Sequence, residues 1–287
     1  MSRNGIIITK SLITVAKTKD RKTRTRKMKK RKNIYIILLL TALIFSMTAC
    51  GGTNAQIKDI QDRGTLRVGA KVDVPRFGYL NPATNEMEGL EIDIARIIAK
   101  DIIGDENAVS FFNITAQTRG PMLDNGEIDI VIATFTITEE RKETFNFSRP
   151  YFTDELGYLV LSGSAVTKPE DLKGKNIGVV QSSTAKAALE EEIVNLGLGA
   201  TIREYASYPE VKAGLNAGEV DAFVADKSIL FGYLDENARL LDAGFNPQNY
   251  GIATKKANDK LAAHIDSIIE KLEETGELAA LIEKWGL

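Results

Sequence analysis

Apolar runs alternate with amphipathic stretches from about residue 64 onwards, and this alternation predicts an α/β fold. Short runs rich in Val, Ile and Ala are typical of buried strands, and they lie at 65–70, 109–114, 128–133, 176–180 and 202–205. Between them, apolar residues recur at helical spacing, as at 89–100. The acids of that stretch, Glu91 and Asp93, are predicted to lie on its solvated face.

A short sequence pattern that occurs twice in the chain indicates two similarly built lobes. A glycine ends a helical stretch, and Glu-x-Asp then precedes a buried strand, at 126–133 and again at 218–225. The first copy runs into a segment rich in Thr, whereas the second ends at Asp226.

Polar segments follow the predicted strands, which is where open α/β sheets bind ligands. Lys71 follows the first strand and is placed either to contact an anionic ligand or to remain a solvated loop lysine. The hydroxyl-rich segment 181–184 precedes a helix, and a helix N-terminus favours anions.

The segment 133–151 carries the most specific pattern in the chain. Thr134 and Thr136 follow a strand, and Thr138 is a predicted N-cap for a short helix that contains Arg141. A guanidinium beside hydroxyls and free amides can hold a carboxylate. The alternative is an ordinary strand–turn–helix with a solvated arginine.

Two motifs in this segment resemble those of the solute-binding proteins of polar amino-acid ABC transporters. They are T-x-T-x-x-R at 136–141 and F-S-x-P-Y at 147–151, and the similarity extends from about residue 64 to 287. The resemblance implies a two-lobed periplasmic-binding-protein-like II fold with two crossover strands. Lobe 1 would comprise 58–150 and 251–287, lobe 2 would comprise 157–246, and the ligand would lie in the interlobe cleft.

The resemblance also implies roles for residues of the first lobe. Arg141, helped by Thr134 and Thr136, would bind the ligand α-carboxylate. Arg119 would bind a side-chain carboxylate, as in receptors for acidic amino acids. The alternative for Arg119 is an ion pair with a local acid such as Asp124.

In the second lobe the resemblance implies ligand contacts from Ser183, Thr184 and Asp226. Asp226 would bind the ligand α-ammonium group, and it could also be the N-cap of a helix beginning at Lys227. Aspartate, glutamate and glutamine are the ligands of the relatives that the chain resembles.

The first fifty residues differ from the rest in charge and hydropathy. They hold 13 of the 37 Lys and Arg residues but only one acid, so the remaining chain carries 24 basic and 38 acidic residues. A basic segment, an apolar run at 34–47 and Cys50 after small residues resemble a lipoprotein signal peptide. We expect a signal peptide over 1–49, lipidation of Cys50 and a tether over 50–57, with Met28 as a candidate for the true start.

These features predict an extracytoplasmic receptor that is anchored by lipid to the cell membrane of a Gram-positive bacterium. It would be a monomer that delivers an acidic or amide amino acid to a membrane permease. The acidic body argues against nucleic-acid binding, and we expect no cofactor, no metal and no catalysis. The alternatives are a same-fold enzyme resembling cyclic-acid dehydratases, acting through a Glu or Asp base, and a ligand-sensing receptor that signals through a partner.

Overall fold

The computed structural model describes residues 55–287. The predicted signal peptide, the alternative start at Met28 and the lipidation site at Cys50 lie outside the described residues. None of the helices within 55–287 combines the length and the apolar character needed to cross a membrane.

One sheet is built from both ends of the described chain. Its strands run in the order β5-β1-β6-β14-β7, and they are β1 (Leu66–Ala70), β5 (Val109–Asn113), β6 (Ile130–Val131), β7 (Phe145–Phe147) and β14 (Ala253–Lys255). β1 lies parallel to β5 and β6, whereas β14 is antiparallel to β6 and β7. A small antiparallel sheet of β2 (Asp73–Val74), β3 (Gly78–Asn81) and β4 (Glu86–Glu88) follows β1 in the chain.

A second sheet is built from the middle of the chain. Its order is β10-β9-β11-β8-β12, with β13 also paired to β8, and its strands are β8 (Phe152–Leu161), β9 (Asn176–Val180), β10 (Thr201–Tyr205), β11 (Ala222–Asp226), β12 (Ala238–Leu240) and β13 (Phe245–Tyr250). β9 is parallel to β10 and β11, and β8 is antiparallel to β11, β12 and β13.

Helices precede, separate and follow the strands along residues 55–287. They are α1 (Ala55–Arg63), α2 (Leu90–Ile103), α3 (Arg119–Asp124), α4 (Glu139–Thr144), α5 (Thr184–Asn195), α6 (Tyr208–Asn216), α7 (Lys227–Phe231), α8 (Asp259–Glu274) and α9 (Glu277–Lys284), with a short 3₁₀ turn at Pro169–Leu172. The predicted helix at 89–100 is confirmed as α2, and Gly104 ends it in the left-handed conformation.

Two adjacent connections join the lobes, which confirms the predicted two-lobed α/β fold with two crossover strands. The chain passes from β7 into β8 and returns from β13 into β14, and β8 pairs with β13 at Phe152–Tyr250. Ser148 fixes the crossing, because its backbone N–H donates to the Ile252 carbonyl and its hydroxyl accepts from the Ile252 N–H, both at 3.0 Å. The neighbouring Arg149 forms ion pairs with Asp266 and Glu270 of α8.

The sequence pattern misplaced three parts of the first lobe. Residues 55–57, predicted as tether, belong to helix α1, in which Ile60 is fully buried. Glu91 is also fully buried rather than solvated. Asp93 accepts a hydrogen bond from the Trp285 indole at 2.8 Å and pairs with Lys284. Charge alone suggested solvation, but both carboxylates accept hydrogen bonds from partners distant in sequence, Glu91 through one of its two oxygens.

The repeated Glu-x-Asp pattern forms the same structure beside both sheets. Asp129 accepts from the backbone N–H of Arg67 in β1 at 2.9 Å. Asp221 accepts from the backbone N–H of Asn176 in β9, also at 2.9 Å. In each lobe, therefore, the aspartate of Glu-x-Asp ties the turn to the strand beside it.

Candidate functional site

Polar segments from the two sheets meet at the carboxyl ends of their strands. Thr136, beyond β6, has its hydroxyl oxygen 3.4 Å from that of Thr184 at the start of α5. Lys71, directly after β1, has its ammonium nitrogen 4.9 Å from the ring centre of Tyr208 in α6. These contacts join the two lobes and define the interlobe cleft.

Arg141 is held at the start of α4 by the predicted cap. Thr138 is the N-cap, and its hydroxyl accepts from the Arg141 backbone N–H at 3.1 Å. The Arg141 guanidinium donates to the Thr136 carbonyl at 2.7 Å and lies 4.6 Å from the ring centre of Phe135. Burial and, secondarily, Arg119 lower the pKa of Arg141 to about 9. An anionic partner would therefore stabilise the charged form of this guanidinium.

Arg119 is a second, more deeply buried guanidinium, with 5% of its surface exposed. It donates to the Ala133 carbonyl at 3.0 Å and stacks over Phe135, with 3.9 Å to the ring centre. Among residues 55–287 it forms no ion pair with Asp124, whose side chain is exposed. Burial lowers the pKa of Arg119 to about 10. The local ion pair considered from sequence is therefore wrong.

Lys71 lies inside the cleft and not in solvent, since only 3% of its surface is exposed. Its ammonium group is 3.1 Å from the Asp73 carboxylate. Burial lowers the pKa of Lys71, and Asp73 opposes this effect. The alternative of a solvated loop lysine is thus excluded by the structure.

Thr134 occupies a left-handed backbone conformation, with φ of 43°, which is rare for a β-branched residue. Glu91 stabilises this turn by accepting from the Thr134 N–H at 2.5 Å and from the Tyr151 hydroxyl. Burial raises the pKa of Glu91 to about 7, although both hydrogen bonds oppose the rise. Glu91 therefore connects the Thr134 turn to the first crossover.

Ser183 and Thr184 use their hydroxyl groups differently. Ser183 is the N-cap of α5 and donates its hydroxyl proton to the Val180 carbonyl at 2.6 Å. Thr184 donates to the side-chain oxygen of Gln248 at 2.7 Å. Of these two residues, Thr184 thus directs its hydroxyl proton to strand β13, whereas Ser183 caps its own helix.

Asp226 ends β11 with its carboxylate buried, and 7% of the residue is exposed. It occupies the N-cap position of α7, but its side chain makes no capping hydrogen bond. Asp154 performs that task instead, accepting from the Ser228 N–H at 2.9 Å. Within the described chain Asp226 Oδ1 has no hydrogen-bond partner. Burial, and then the nearby Asp154 charge, raise the pKa of Asp226 to about 7.

Several cleft residues did not stand out in the sequence. They are Glu91, Phe135, Tyr208, Gln248 and Tyr250, all of which are buried. Phe135 was the most accessible to sequence reasoning, because it lies inside the Thr-rich motif. The others are single polar or aromatic residues of helices and strands, and no local pattern marks them.

The cleft opens to a cavity of about 540 Å³ beside Arg141. Its lining includes Thr136, Ser183, Thr184 and Gln248. Within residues 55–287, no group of three or more His, Cys, Asp or Glu side chains is arranged to hold a metal ion. Arg119, Lys71 and Asp226 are buried in the interlobe cleft but are not among the residues that line this cavity. Together, the cations, the hydroxyls and the Asp226 carboxylate would complement a small zwitterion.

Known proteins share both the sequence and the architecture. Residues 66–287 match the family model of bacterial extracellular solute-binding proteins, family 3. The ABC transporter glutamine-binding protein GlnH of Bacillus subtilis (strain 168) is 37% identical over 270 residues, which cover 90% of this chain and 97% of GlnH. The glutamate-binding protein GluB of Corynebacterium glutamicum is 28% identical over 262 residues, which cover 86% of this chain and 88% of GluB.

A solved structure agrees with this assignment. The cysteine-binding protein from Campylobacter jejuni superposes with a TM-score of 0.74 at 29% identity, covering 80% of this chain and 92% of that chain. The family match spans both lobes and both crossings, as well as the segment that carries Arg141. The chain therefore belongs to the bacterial extracellular solute-binding proteins of family 3.

Proposed function

We propose that this protein captures a polar amino acid between its lobes and delivers it to the permease of an ABC transporter. The observation that carries the proposal is the opposition of unpaired charges in the cleft. Within residues 55–287, Arg119 and Arg141 form no ion pair, and Asp226 has a buried oxygen without a hydrogen-bond partner. An α-carboxylate on Arg141 and an α-ammonium group on Asp226 would satisfy both sides.

The main candidate ligands are aspartate and glutamate. Arg119 is buried beside Phe135 with one hydrogen bond, to a backbone carbonyl, so most of its five N–H donors remain for a ligand. A side-chain carboxylate would accept two parallel hydrogen bonds from this guanidinium. Lys71 would add positive potential to the same cleft.

Glutamine is the second candidate. GlnH, a glutamine-binding protein, is more similar to this chain than GluB is, at 37% against 28% identity. A side-chain amide oxygen can accept from Arg119 as well. Glu91 and Asp73 also place negative charge near Arg119 and Lys71, which reduces the need for a second ligand carboxylate.

The predicted signal peptide and lipidation site extend the proposal to the location of the protein. A signal peptide followed by Cys50 would place the protein outside the cytoplasm on a lipid anchor. The cleft residues all come from one chain, so binding would need no second copy and a monomer would suffice.

Calorimetric titration of residues 51–287 with all amino acids and cystine tests the proposal, with Arg119→Gln and Arg141→Ala as variants. We expect Arg141→Ala to lose affinity for every ligand by at least about 30-fold, because it removes a buried charge partner. If the ligand is acidic, Arg119→Gln should weaken glutamate far more than glutamine.

Two outcomes would change the proposal. Full affinity in a folded Arg141→Ala variant would contradict the α-carboxylate assignment. Failure of the unaltered protein to bind any amino acid would contradict the receptor function, and a turnover assay on cyclic acids would then test the enzyme alternative.

A further inference from the structure

Gln248 is a buried amide on the hinge strand β13, with 1% of its surface exposed. Its side-chain oxygen accepts from the Thr136 hydroxyl at 2.8 Å and from the Thr184 hydroxyl at 2.7 Å. These threonines belong to different lobes. A single side-chain oxygen of the hinge therefore takes the hydroxyl protons of both.

The orientation of this amide is determined by the backbone next to it. The Gln248 side-chain nitrogen donates to the carbonyl of Asn246 at 2.9 Å and to its side-chain oxygen at 3.1 Å. Asn246 has a φ of 47°, and the pairing of β13 with β8 shifts register between Phe245 and Pro247. Because two acceptors face the nitrogen, the oxygen must face the threonines.

This arrangement determines what the threonines offer to a ligand. A hydroxyl has one proton and two acceptor lone pairs. Since both protons point to Gln248, the lone pairs of Thr136 and Thr184 remain for the cleft. Lone pairs attract an ammonium group and repel a carboxylate, so these hydroxyls favour the amino end of a ligand. This role for the Thr136 hydroxyl differs from the expectation drawn from the sequence, in which Thr136 helps Arg141 to bind the α-carboxylate.

We infer that Gln248 is a positioning residue that makes the Thr136 and Thr184 hydroxyls hydrogen-bond acceptors and so selects ligands that carry an α-ammonium group. The inference rests on the proposed function, and it assigns Gln248 no direct contact with the ligand. It differs from a structural hinge role, because loss of a hinge contact would weaken all ligands alike.

Gln248→Leu tests the inference by removing the acceptor while keeping a side chain of similar size. Displacement titration would compare L-glutamate with glutarate, which has the same two carboxylates but no amino group. If the unaltered protein prefers L-glutamine, the pair is L-glutamine and glutaramate. We expect the preference for the amino acid over its des-amino analogue to fall at least about tenfold, since each hydroxyl is then free to donate.

Gln117→Leu is the matched control. Gln117 is an exposed glutamine whose side-chain oxygen accepts from Gln181 of the other lobe at 3.0 Å, so its removal breaks an interlobe contact without touching the threonines. In Gln117→Leu, the ratio of the affinities for the amino acid and its des-amino analogue should equal that of the unaltered protein. An equal loss of affinity for both ligands in Gln248→Leu, or an unchanged ratio, would overturn the inference.

Asn246→Gly provides a second variant if Gln248→Leu does not fold. Glycine tolerates the positive φ at this position, and the change removes one of the two acceptors that orient the amide. The ratio should fall in the same direction by a smaller factor, and an unchanged ratio would contradict the role of Gln248. Absence of amino-acid binding by the unaltered protein would instead refute the proposed function itself.

Discussion

At the scale of single residues, two aspartates of the second lobe divide two tasks. Asp154 caps α7 through the Ser228 N–H and hydroxyl. Asp226, although it occupies the N-cap position, is left without that role and keeps a buried oxygen unpaired within the described chain. Burying an unpaired carboxylate is costly, and a bound ammonium group would offset this cost.

Ligand affinity should rise with pH through about 7, because the proposed ammonium contact needs Asp226 ionised and its pKa is about 7. Below that value the affinity should fall by up to about tenfold per pH unit. The groups facing Asp226 are Asp154, Tyr250 and Arg119, followed by the titratable side chains of Arg141 and Tyr208. Calorimetric titrations from pH 5 to 8 would measure the slope.

Asp226→Asn is the variant that isolates this group from Glu91, whose pKa is also about 7. It should bind weakly at pH 8 and show a flat profile; a slope that persists would assign the titration to Glu91. In the absence of ligand, the stability of the folded protein should change with pH in the direction opposite to ligand affinity. A raised carboxyl pKa makes the folded state more stable below pH 4, and that advantage is lost as pH rises through 7.

At the scale of elements, the Glu-x-Asp turn is the unit that the two lobes share. In the first lobe, Asp129 is fully buried and pairs with Arg63 and Arg67, besides accepting from the Arg67 N–H. It thus joins α1, β1 and the turn before β6. In the second lobe, Asp221 pairs with Lys175 at 3.1 Å beside its bond to the Asn176 N–H.

Asp129→Ala should destabilise the protein by about 1–3 kcal/mol, because it leaves the partly buried donors of Arg63 and Arg67 without their acceptor. Asp62→Ala is the matched control, since Asp62 pairs with Lys58 on the exposed face of α1 and such pairs contribute about 0–1 kcal/mol. Urea denaturation of both variants would measure the two free energies of unfolding. Equal effects would show that the Asp129 contacts contribute no more than a surface pair.

At the scale of the whole molecule, contacts outside the proposed ligand set hold the lobes together. The Tyr233 hydroxyl of the second lobe donates to the Asp73 carbonyl of the first. Nearby, the Arg76 guanidinium lies 4.3 Å from the ring centre of Phe231. Since ligand binding shifts the equilibrium towards the state that it bridges, contacts of this kind would raise affinity without contacting the ligand.

Tyr233→Phe should therefore weaken every ligand by the same factor, about fivefold for the loss of one hydrogen bond of ordinary net strength. Tyr79→Phe is the control, because the Tyr79 hydroxyl makes no side-chain hydrogen bond within residues 55–287. Titration with two ligands of different affinity would check the result. A change in the ratio of the two affinities would mean that Tyr233 acts on the ligand and not on closure.

Local patterns in the sequence were sufficient to predict the main elements and part of the candidate site. Hydrophobic periodicity located the main strands and helices, because it records which face of each element is buried. The Thr138 cap and Arg141 lie three residues apart, so their geometry is local. The repeated Glu-x-Asp indicated two lobes for the same reason.

Only the tertiary structure decided the roles of isolated polar residues. Glu91 contacts Thr134 and Tyr151, which are 43 and 60 residues away in the chain. Gln248 meets Thr136 and Thr184 across 112 and 64 residues. No local pattern carries information on such partners, because burial of a polar group depends on what the rest of the fold brings to it. The sequence by itself therefore determined the elements and the family motifs, whereas tertiary packing, within each lobe and between the lobes, decided which carboxylates and amides are buried and which groups they contact.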